Sequence, residues 1–455
     1  MHTSFGQLRS LLQAPVTSPH TLLELLERAW EQSPERYEHQ WRPYLSSFEL
    51  PPYVASSQEQ AHRLARLLPE QAQFGLRLVA SQESDRVVQG LRDQPWAHRL
   101  DTIALNRCRL SDRDLARGFT QGPFEGVHTL HLSSNMLGPP GAHVVGQTFR
   151  GLTQLSVGSN PLGDEGVEAL MASEAAPSLR RLDVSATRLG GPGLRALCEG
   201  VTQLEHLNLS NNGLGAHALE GLGHATCAHV ASLDVSDNLM DERATRALVH
   251  QRWFARVQTL DAASNHLGTD AVEWLAQAPW RPKTLGLSRN RLNAWSVHEL
   301  VRAPWFGELD ALDLSHNHLE DVGFGALLCA ASLHTLRELN VRGISLGEEA
   351  MAHWPSGQGL EGLRRLDLSQ NMIGDRGARS ILRHPPPGLD TLQLNGCGLT
   401  DATALALAKC TGLGGLKRLE LGANALSKRG VEALLRSTCL PEGLTLGLFG
   451  NPGAR

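Results

Sequence analysis

Lysine is nearly absent from this chain: Lys283, Lys409, Lys417 and Lys428 are the only ones in 455 residues, and arginine supplies the rest of the basic charge. That imbalance reads as the codon usage of a GC-rich genome. With a formal net charge of −5, the composition gives no reason to expect a nucleic-acid partner. No stretch approaches the roughly 20 apolar residues of a spanning helix. The start of the chain lacks a basic head followed by an apolar run, so neither a membrane partner nor a cleavable leader is expected. The seven cysteines, Cys108, Cys198, Cys227, Cys329, Cys397, Cys410 and Cys439, include no Cys-x-x-Cys pair. Reduced, buried thiols and a cytoplasmic location follow from that pattern. Also missing are a Gly-x-Ser-x-Gly elbow, a Gly-rich phosphate loop with lysine and any paired catalytic constellation. Histidine is plentiful, but His128 and His131 face opposite ways on or beside a strand, and His316 and His318 flank a buried position. No metal and no cofactor are expected.

What the chain has in abundance is one phrase, close to Leu-x-x-Leu-x-Leu-x-x-Asn-x-Leu. Its Asn slot can be followed fourteen times, through Cys108, Asn135, Asn160, Thr187, Asn212, Asn238, Asn265, Asn290, Asn317, Ile344, Asn371, Cys397, Asn424 and Asn451, at intervals of 25 to 27 residues. A fixed period of this length marks a solenoid, in which each unit buries its apolar face only against its neighbours. Within one unit, Leu207 and Leu209 alternate with Asn208 and Ser210, the period-2 pattern of a short strand with one buried face. A helical stretch follows, best seen at residues 162–170, where Asp164 is placed to cap the helix start and Val167 with Leu170 form its inward face. Strand, turn, helix and return in so few residues imply parallel strands joined by right-handed crossovers.

The Asn slot has a mechanical reason. After the strand the chain turns inward and leaves buried amides and carbonyls that need partners, which an Asn side chain supplies in both senses. Cysteine fits the same volume as a weaker donor. Ile344 can bridge nothing, so the ladder should be interrupted there. The abundant glycines are assigned to the turn after each slot.

This pattern resembles leucine-rich repeats of the ribonuclease-inhibitor type, in which Asn or Cys fills the slot and Leu-Gly-x-x-Gly opens the helix. The resemblance covers about residues 99–451. It implies an α/β leucine-rich-repeat solenoid, a curved horseshoe with parallel strands on the concave face and helices on the convex face. Residues 1–98 are expected to form an α-helical N-terminal cap region, and residues 99–455 an array of 14 units. Residues 22–30 and 59–68 read as the amphipathic helices of the cap. A degenerate opening repeat is expected at about 74–98, with Leu76 and Leu78 in its strand and Ser81 in the slot.

Outward strand positions would line the concave face and meet partners. The column between the two strand leucines carries Asp183, Asn208, Asp234, Asp261, Asp313, Asp367 and Glu420. Residues two apart on a strand share a face, which pairs Arg181 with Asp183, Arg365 with Asp367 and Arg418 with Glu420 as weak surface ion pairs. Asp234, Asp261 and Asp313 have no such partner, although Arg289 and His316 are near enough to neutralise part of their charge. Two charges ~5 Å apart in water repel by under about 1 kcal/mol, so this column is tolerable and primed for a cation. Arg342 stands where serine is usual, Gly343 follows it, and Trp354 with Pro355 interrupts the helix of that repeat; drift in one unit explains this cluster. Trp96, Trp253, Trp280 and Trp305 hold a recurring place in the repeat and are assigned to the core.

The function these features imply is a non-enzymatic protein–protein interaction scaffold. Its partner, carrying a basic patch, would dock on the concave face around Asp234, Asp261 and Asp313. Fourteen strands at ~4.8 Å give an arc on the order of 60 Å, enough to embrace a domain. Two other roles stay open: regulator of a small GTPase or another enzyme, and exported effector binding host proteins. Oligomeric state is not specified by the sequence, and a monomer is the default.

Overall fold

The computed structural model describes residues 7, 12, 19–46, 50, 53–77, 88, 90–220, 229–330, 333–354 and 359–454. The chain divides into two compact units, Met1–Asn208 with Thr226–Ala228, and Leu209–Ala225 with His229–Arg455. In the first unit the strands are β1 (Val54–Ala55), β2 (Phe74–Arg77), β3 (Leu100–Ala104), β4 (Thr129–His131), β5 (Gln154–Ser156), β6 (Arg181–Asp183) and β7 (His206–Asn208). In the second they are β8 (Ser232–Asp234), β9 (Thr259–Asp261), β10 (Thr284–Gly286), β11 (Ala311–Asp313), β12 (Glu338–Asn340), β13 (Arg365–Asp367), β14 (Thr391–Gln393), β15 (Arg418–Glu420) and β16 (Thr445–Gly447). Within each unit every strand pairs in parallel with its neighbour in the chain, and the central leucines stay opposite one another, as in Leu260↔Leu285↔Leu312↔Leu339. The fold is the α/β leucine-rich-repeat solenoid. Successive helices pack side by side.

The period-2 pattern explains each strand. Leu312 and Leu314 are buried, while Ala311 and Asp313, which alternate with them, are half-exposed. The tryptophans of the recurring position are buried, and Trp280 and Trp305 both donate their indole N–H to the carbonyl of Leu275, at 3.0 and 3.3 Å. The cysteines only partly follow the expected burial: Cys108, Cys198 and Cys397 are buried, Cys329 is exposed, and Cys410 and Cys439 are intermediate. Cys227 lies outside the described residues.

Each regular rung is a four-bond bridge. Asn317 Oδ1 accepts from the amides of Asn290 (3.0 Å) and Leu292 (3.1 Å), and its Nδ2 donates to the carbonyls of Leu287 and Leu314, both at 2.9 Å. Asn135, Asn238, Asn290, Asn371 and Asn424 repeat that arrangement. Asn160, Asn265 and Asn451 make most of it. Asn212 Nδ2 donates to the Leu209 carbonyl. Cys108 Sγ donates to the Asn106 carbonyl at 3.4 Å.

Where the slot lacks Asn, the preceding turn changes. The amides of Gly163, Glu320 and Gly374 donate to the backbone carbonyls of Thr187, Ile344 and Cys397, at 2.9, 3.0 and 3.0 Å. All three donors adopt positive φ, at +61°, +56° and +60°. The interruption at Ile344 is therefore one-sided. Its carbonyl serves the repeat before it, and its own amide still reaches Asn371 Oδ1 at 3.1 Å. The helix of that repeat is a 3-10 turn, Glu348–His353, ending at buried Trp354; Pro355 lies outside the described residues.

Two expectations about turns need correction. After the slot Arg109, Arg188, Gly213, Ser345 and Gly398 are left-handed, two of them glycines; the residue before each slot is left-handed in every unit, and it is seldom glycine. Arg107, Ser134, Ser159, Ala186, Asn211, Asp237, Ser264, Arg289, His316, Gln370 and Ala423 have positive φ there, joined by Gly343, Gly396 and Gly450. Asp164 does not cap its own helix, whose N-cap is Leu162. As the second helical residue it projects forward, and its Oδ1 accepts from the amides of Gly190 (2.6 Å) and Gly193 (3.1 Å) at the start of the next helix. Asp112, Asp321, Asp375 and Asp401 reach forward in the same way, to Gly138 and Gly141, Gly347, Thr400 and Thr403, and Ser427. The Gly-x-x-Gly spacing follows: a Cβ at Gly190 would sit 2.9 Å from the Asp164 carboxylate, and one at Gly193 2.7 Å from it.

The N-terminal region places helices at Pro19–Gln32 and Gln58–Leu67, with Leu22, Leu26, Ala61, Leu64 and Leu67 buried. It also contributes β1 and β2, and the sequence pattern gave no sign of β1. Leu76 is buried in β2, which pairs with β3; Leu78 and Ser81 lie outside the described residues. A buried arginine ties this region to the repeats. Arg99 donates to the carbonyls of Ala72 (3.0 Å), Ala65 (2.7 Å), Pro69 (2.6 Å) and Leu68 (3.5 Å). Tyr37 adds a hydroxyl bond to the Leu67 carbonyl at 2.5 Å.

Candidate functional site

Parallel pairing turns the outward strand position into a row. In the second unit Asp234 lies opposite Asp261, Asp261 opposite Gly286, and Gly286 opposite Asp313, followed by Asn340, Asp367, Gln393 and Glu420. These residues are half-exposed, because a three-residue strand flanked by turns neither buries nor fully frees them. Each aspartate has a structural task that the Leu-Asp-Leu-Ser spelling encodes. One carboxylate oxygen accepts the amide two residues on: Asp234 from Ser236 (2.9 Å), Asp261 from Ala263 (3.0 Å), Asp313 from Ser315 (2.8 Å) and Asp367 from Ser369 (2.8 Å). Asp183, in the first unit, does the same with Ser185 at 3.0 Å and also accepts the Ser156 hydroxyl. Asn208 is half-exposed beside it on β7. Such local bonds tie the carboxylates to the turn.

Gly286 is the residue that sequence reasoning passed over. It removes a side chain from the middle of the row, where a Cβ would lie 3.0 Å from Asp261 Oδ1. The gap floors a groove of about 470 Å³ edged by Asp261, Asp313, Glu338, Arg365 and Asp367. Four carboxylates against one guanidinium leave a local charge of 1 − 4 = −3. Asp313 Oδ2 is held by Asn340 Nδ2 at 2.9 Å. Burial pushes the Asp261 carboxyl up; the Ala263 amide opposes that, and Asp234, Asp313 and Asp237 add to it. The signal for Gly286 was a glycine at an outward strand position, where close approach is the usual cause.

The same-strand ion pairs are realised in one case of three. Arg418 meets Glu420 at 3.5 Å, but Arg365 turns to Glu338 on β12 at 3.0 Å, and no ion pair joins Arg181 to Asp183 among the described residues. Opposite residues on adjacent strands lie ~4.8 Å apart, closer than the ~6.6 Å between residues two apart on one strand, so the cross-strand acid wins. Nor do Arg289 and His316 neutralise the aspartate row: neither makes an ion pair among the described residues. Burial, then Arg289 and Arg342, hold the His316 imidazole below its usual range, and Asp313 and Asp367 only partly offset them. The buried Cys397 thiol is pushed up to about 12 by burial, so it serves its rung as a weak donor and not as a nucleophile. Among the described residues no group of three or more His, Cys, Asp or Glu side chains is arranged to hold a metal, and no helix is long and apolar enough to cross a membrane.

Comparison with known proteins adds family to geometry. A family model described as Leucine Rich repeat matches residues 152–171, 175–198, 309–328 and 363–382, and a second, Leucine Rich Repeat, matches residues 203–225. The chain is 28% identical over 378 residues to the ribonuclease inhibitor of Sus scrofa, covering 77% of this chain and 76% of that protein. It is 27% identical over 380 residues to the ribonuclease inhibitor of Mus musculus, covering 78% and 77%. Similarity to NACHT, LRR and PYD domains-containing protein 12 of Homo sapiens, 29% over 333 residues, takes in 69% of this chain but only 29% of that protein.

Proposed function

We propose, from the premise that the chain is a leucine-rich-repeat protein of the ribonuclease-inhibitor type, that it is a non-enzymatic scaffold which binds a partner protein on the strand face of its repeats. The observation that carries this is the acidic groove at Gly286, where Asp261, Asp313 and Asp367 each commit one oxygen to the backbone. Fixed carboxylates of this kind recognise a lysine or arginine side chain without having to be ordered first. The docking partner presents a basic patch, with Asp234 extending the contact past β9, Glu420 standing further along the row and Arg342 two residues past Asn340. The proposed setting is the cytoplasm, and the proposed organisation is a cap region, residues 1–98, followed by the fourteen-unit array. A second reading, that the partner is an enzyme held in check, is favoured by the names of the relatives, which are inhibitors of ribonuclease.

The test removes charge while keeping the turns. Asp234→Asn, Asp261→Asn and Asp313→Asn together preserve the Oδ1 acceptors. At roughly 0.5–1 kcal/mol per exposed charge contact, the triple variant should bind its partner about 10- to 100-fold more weakly. Affinity capture with mass spectrometry at low and high salt identifies the partner, and titration calorimetry then measures the loss. Unchanged affinity and unchanged salt dependence in the triple variant would overturn the proposal.

A further inference from the structure

Beside the acidic groove, three adjacent repeats carry a different set of groups. Arg342 occupies a position taken by Ser315 and Ser369 in the repeats on either side, and both serines are buried. Its Nε is buried there with no hydrogen-bond partner among the described residues. A buried donor left unmade costs about 1–3 kcal/mol, and native structures rarely keep one without a reason. The next residue, Gly343, adopts φ +61°, and a Cβ on it would lie 2.9 Å from His316 Nδ1 and 3.7 Å from Gln370 Oε1. The His316 ring therefore leans over the glycine, and any side chain there would have to push it aside. Arg289, exposed on the preceding turn, acts electrostatically on the same imidazole, as does Arg342.

We propose that Arg342, His316 and Arg289 form a receptor for one carboxylate of the partner protein, an Asp or Glu side chain seated over Gly343. This rests on the scaffold function above and deepens it. The Gly286 groove takes a cation, and two strands away, roughly 10 Å, the Gly343 turn takes an anion. Recognition is then bipolar, and a partner with a basic patch alone would lack half of the match. The groups facing His316 set its behaviour. Arg289 and Arg342 disfavour its proton, while Asp313 and Asp367 favour it but are already engaged by the amides of Ser315 and Ser369. A bound carboxylate adds the missing counter-charge and draws a proton onto the ring, so anion affinity rises as the pH falls, about tenfold for each unit by which binding lifts the histidine pKa.

The test uses the full chain with labelled histidine side chains and acetate as the probe. Histidine titration curves are recorded by NMR in chloride and in acetate at equal ionic strength, with His316 assigned from the His316→Gln variant. Acetate should raise the His316 pKa by about half a unit or more, a threefold or greater change in affinity between protonation states, while exposed His298 and His334 stay put. Arg342→Gln should abolish the rise, and Asp234→Asn with Asp261→Asn should leave it intact. A His316 shift no larger than that of His298, or an equal shift in Arg342→Gln, overturns the anion receptor. Because no partner protein takes part, this result is independent of whether the acidic groove binds a cation.

Discussion

Replacing Arg99 by methionine should detach the N-terminal helices and leave the repeats folded. The guanidinium is buried and bonds four carbonyls, two of them, Ala65 and Leu68, at the end of the helix Gln58–Leu67. Helix C-terminal carbonyls have no intrahelical donor, and a cation there also complements the helix dipole. Methionine keeps most of the volume and some packing against Phe74, whose ring lies 5.5 Å from the Arg99 guanidinium. It supplies none of the four bonds. Hydrogen bonds from a charged donor contribute about 1.5–3 kcal/mol each when the acceptor is otherwise orphaned, but water reaching the vacated end of the helix recovers part of that. The desolvation no longer required for arginine offsets more. About 3 kcal/mol should remain as the net loss, localised to residues 19–67. Hydrogen exchange read by mass spectrometry separates the outcomes. Amides of residues 19–67 should exchange on the order of 100-fold faster in the variant, while those of β4 to β6 keep their protection. Loss of protection throughout the first unit, or no change at residues 58–67, would refute the assignment of Arg99 as the tie between the two regions.

Other outcomes follow from the same geometry. Glu320 holds φ +56° where the equivalent residues are Gly163 and Gly374, so Glu320→Gly should stabilise the second unit by roughly 0.5–1 kcal/mol in urea unfolding, despite the usual entropic cost of glycine. Burial pushes the Asp375 carboxyl up, but the Thr400 and Thr403 hydroxyls and amides more than reverse this and hold it below the usual carboxylate range. Its folded pKa is depressed, so its contribution is complete above the unfolded value near 3.8 and disappears as the pH falls through the lower folded value. Asp375→Asn should therefore destabilise at neutral pH and flatten the acid limb of the stability curve. An unchanged acid limb would contradict that account.

The repeat was legible because it is written in leucines at fixed spacing, and burial of those leucines alone determines strand register. The Asn slot was legible for the same reason. Its exceptions were only half legible, since Ile344 announces a missing side chain but not the backbone carbonyl that replaces it. The direction of the Asp164 side chain could not be read from one repeat, because its acceptor role is completed by amides 26 and 29 residues away. The acidic row was visible as a column of letters, while the bonds that tie its carboxylates to the turns required coordinates. Arg342 looked like drift, since an orphaned Nε has no signature in sequence. Gly286 could have been noticed: among aspartates in register, a glycine is a gap.

The forward reach of Asp164 and its counterparts, set against the backward reach of the Asn rungs, makes these repeats a grammar and not a string of interchangeable words. A unit whose helix opens on a positive-φ glycine needs a successor that offers a bare carbonyl, as Gly163 does with Thr187 and Gly374 with Cys397. A unit carrying a forward aspartate needs a successor that opens its helix with an unhindered amide. Duplicating, deleting or transplanting one unit therefore breaks agreement on both sides unless its neighbours are of matching kind. Lengthening such an array, by evolution or by design, should succeed far more often when units are copied in compatible pairs.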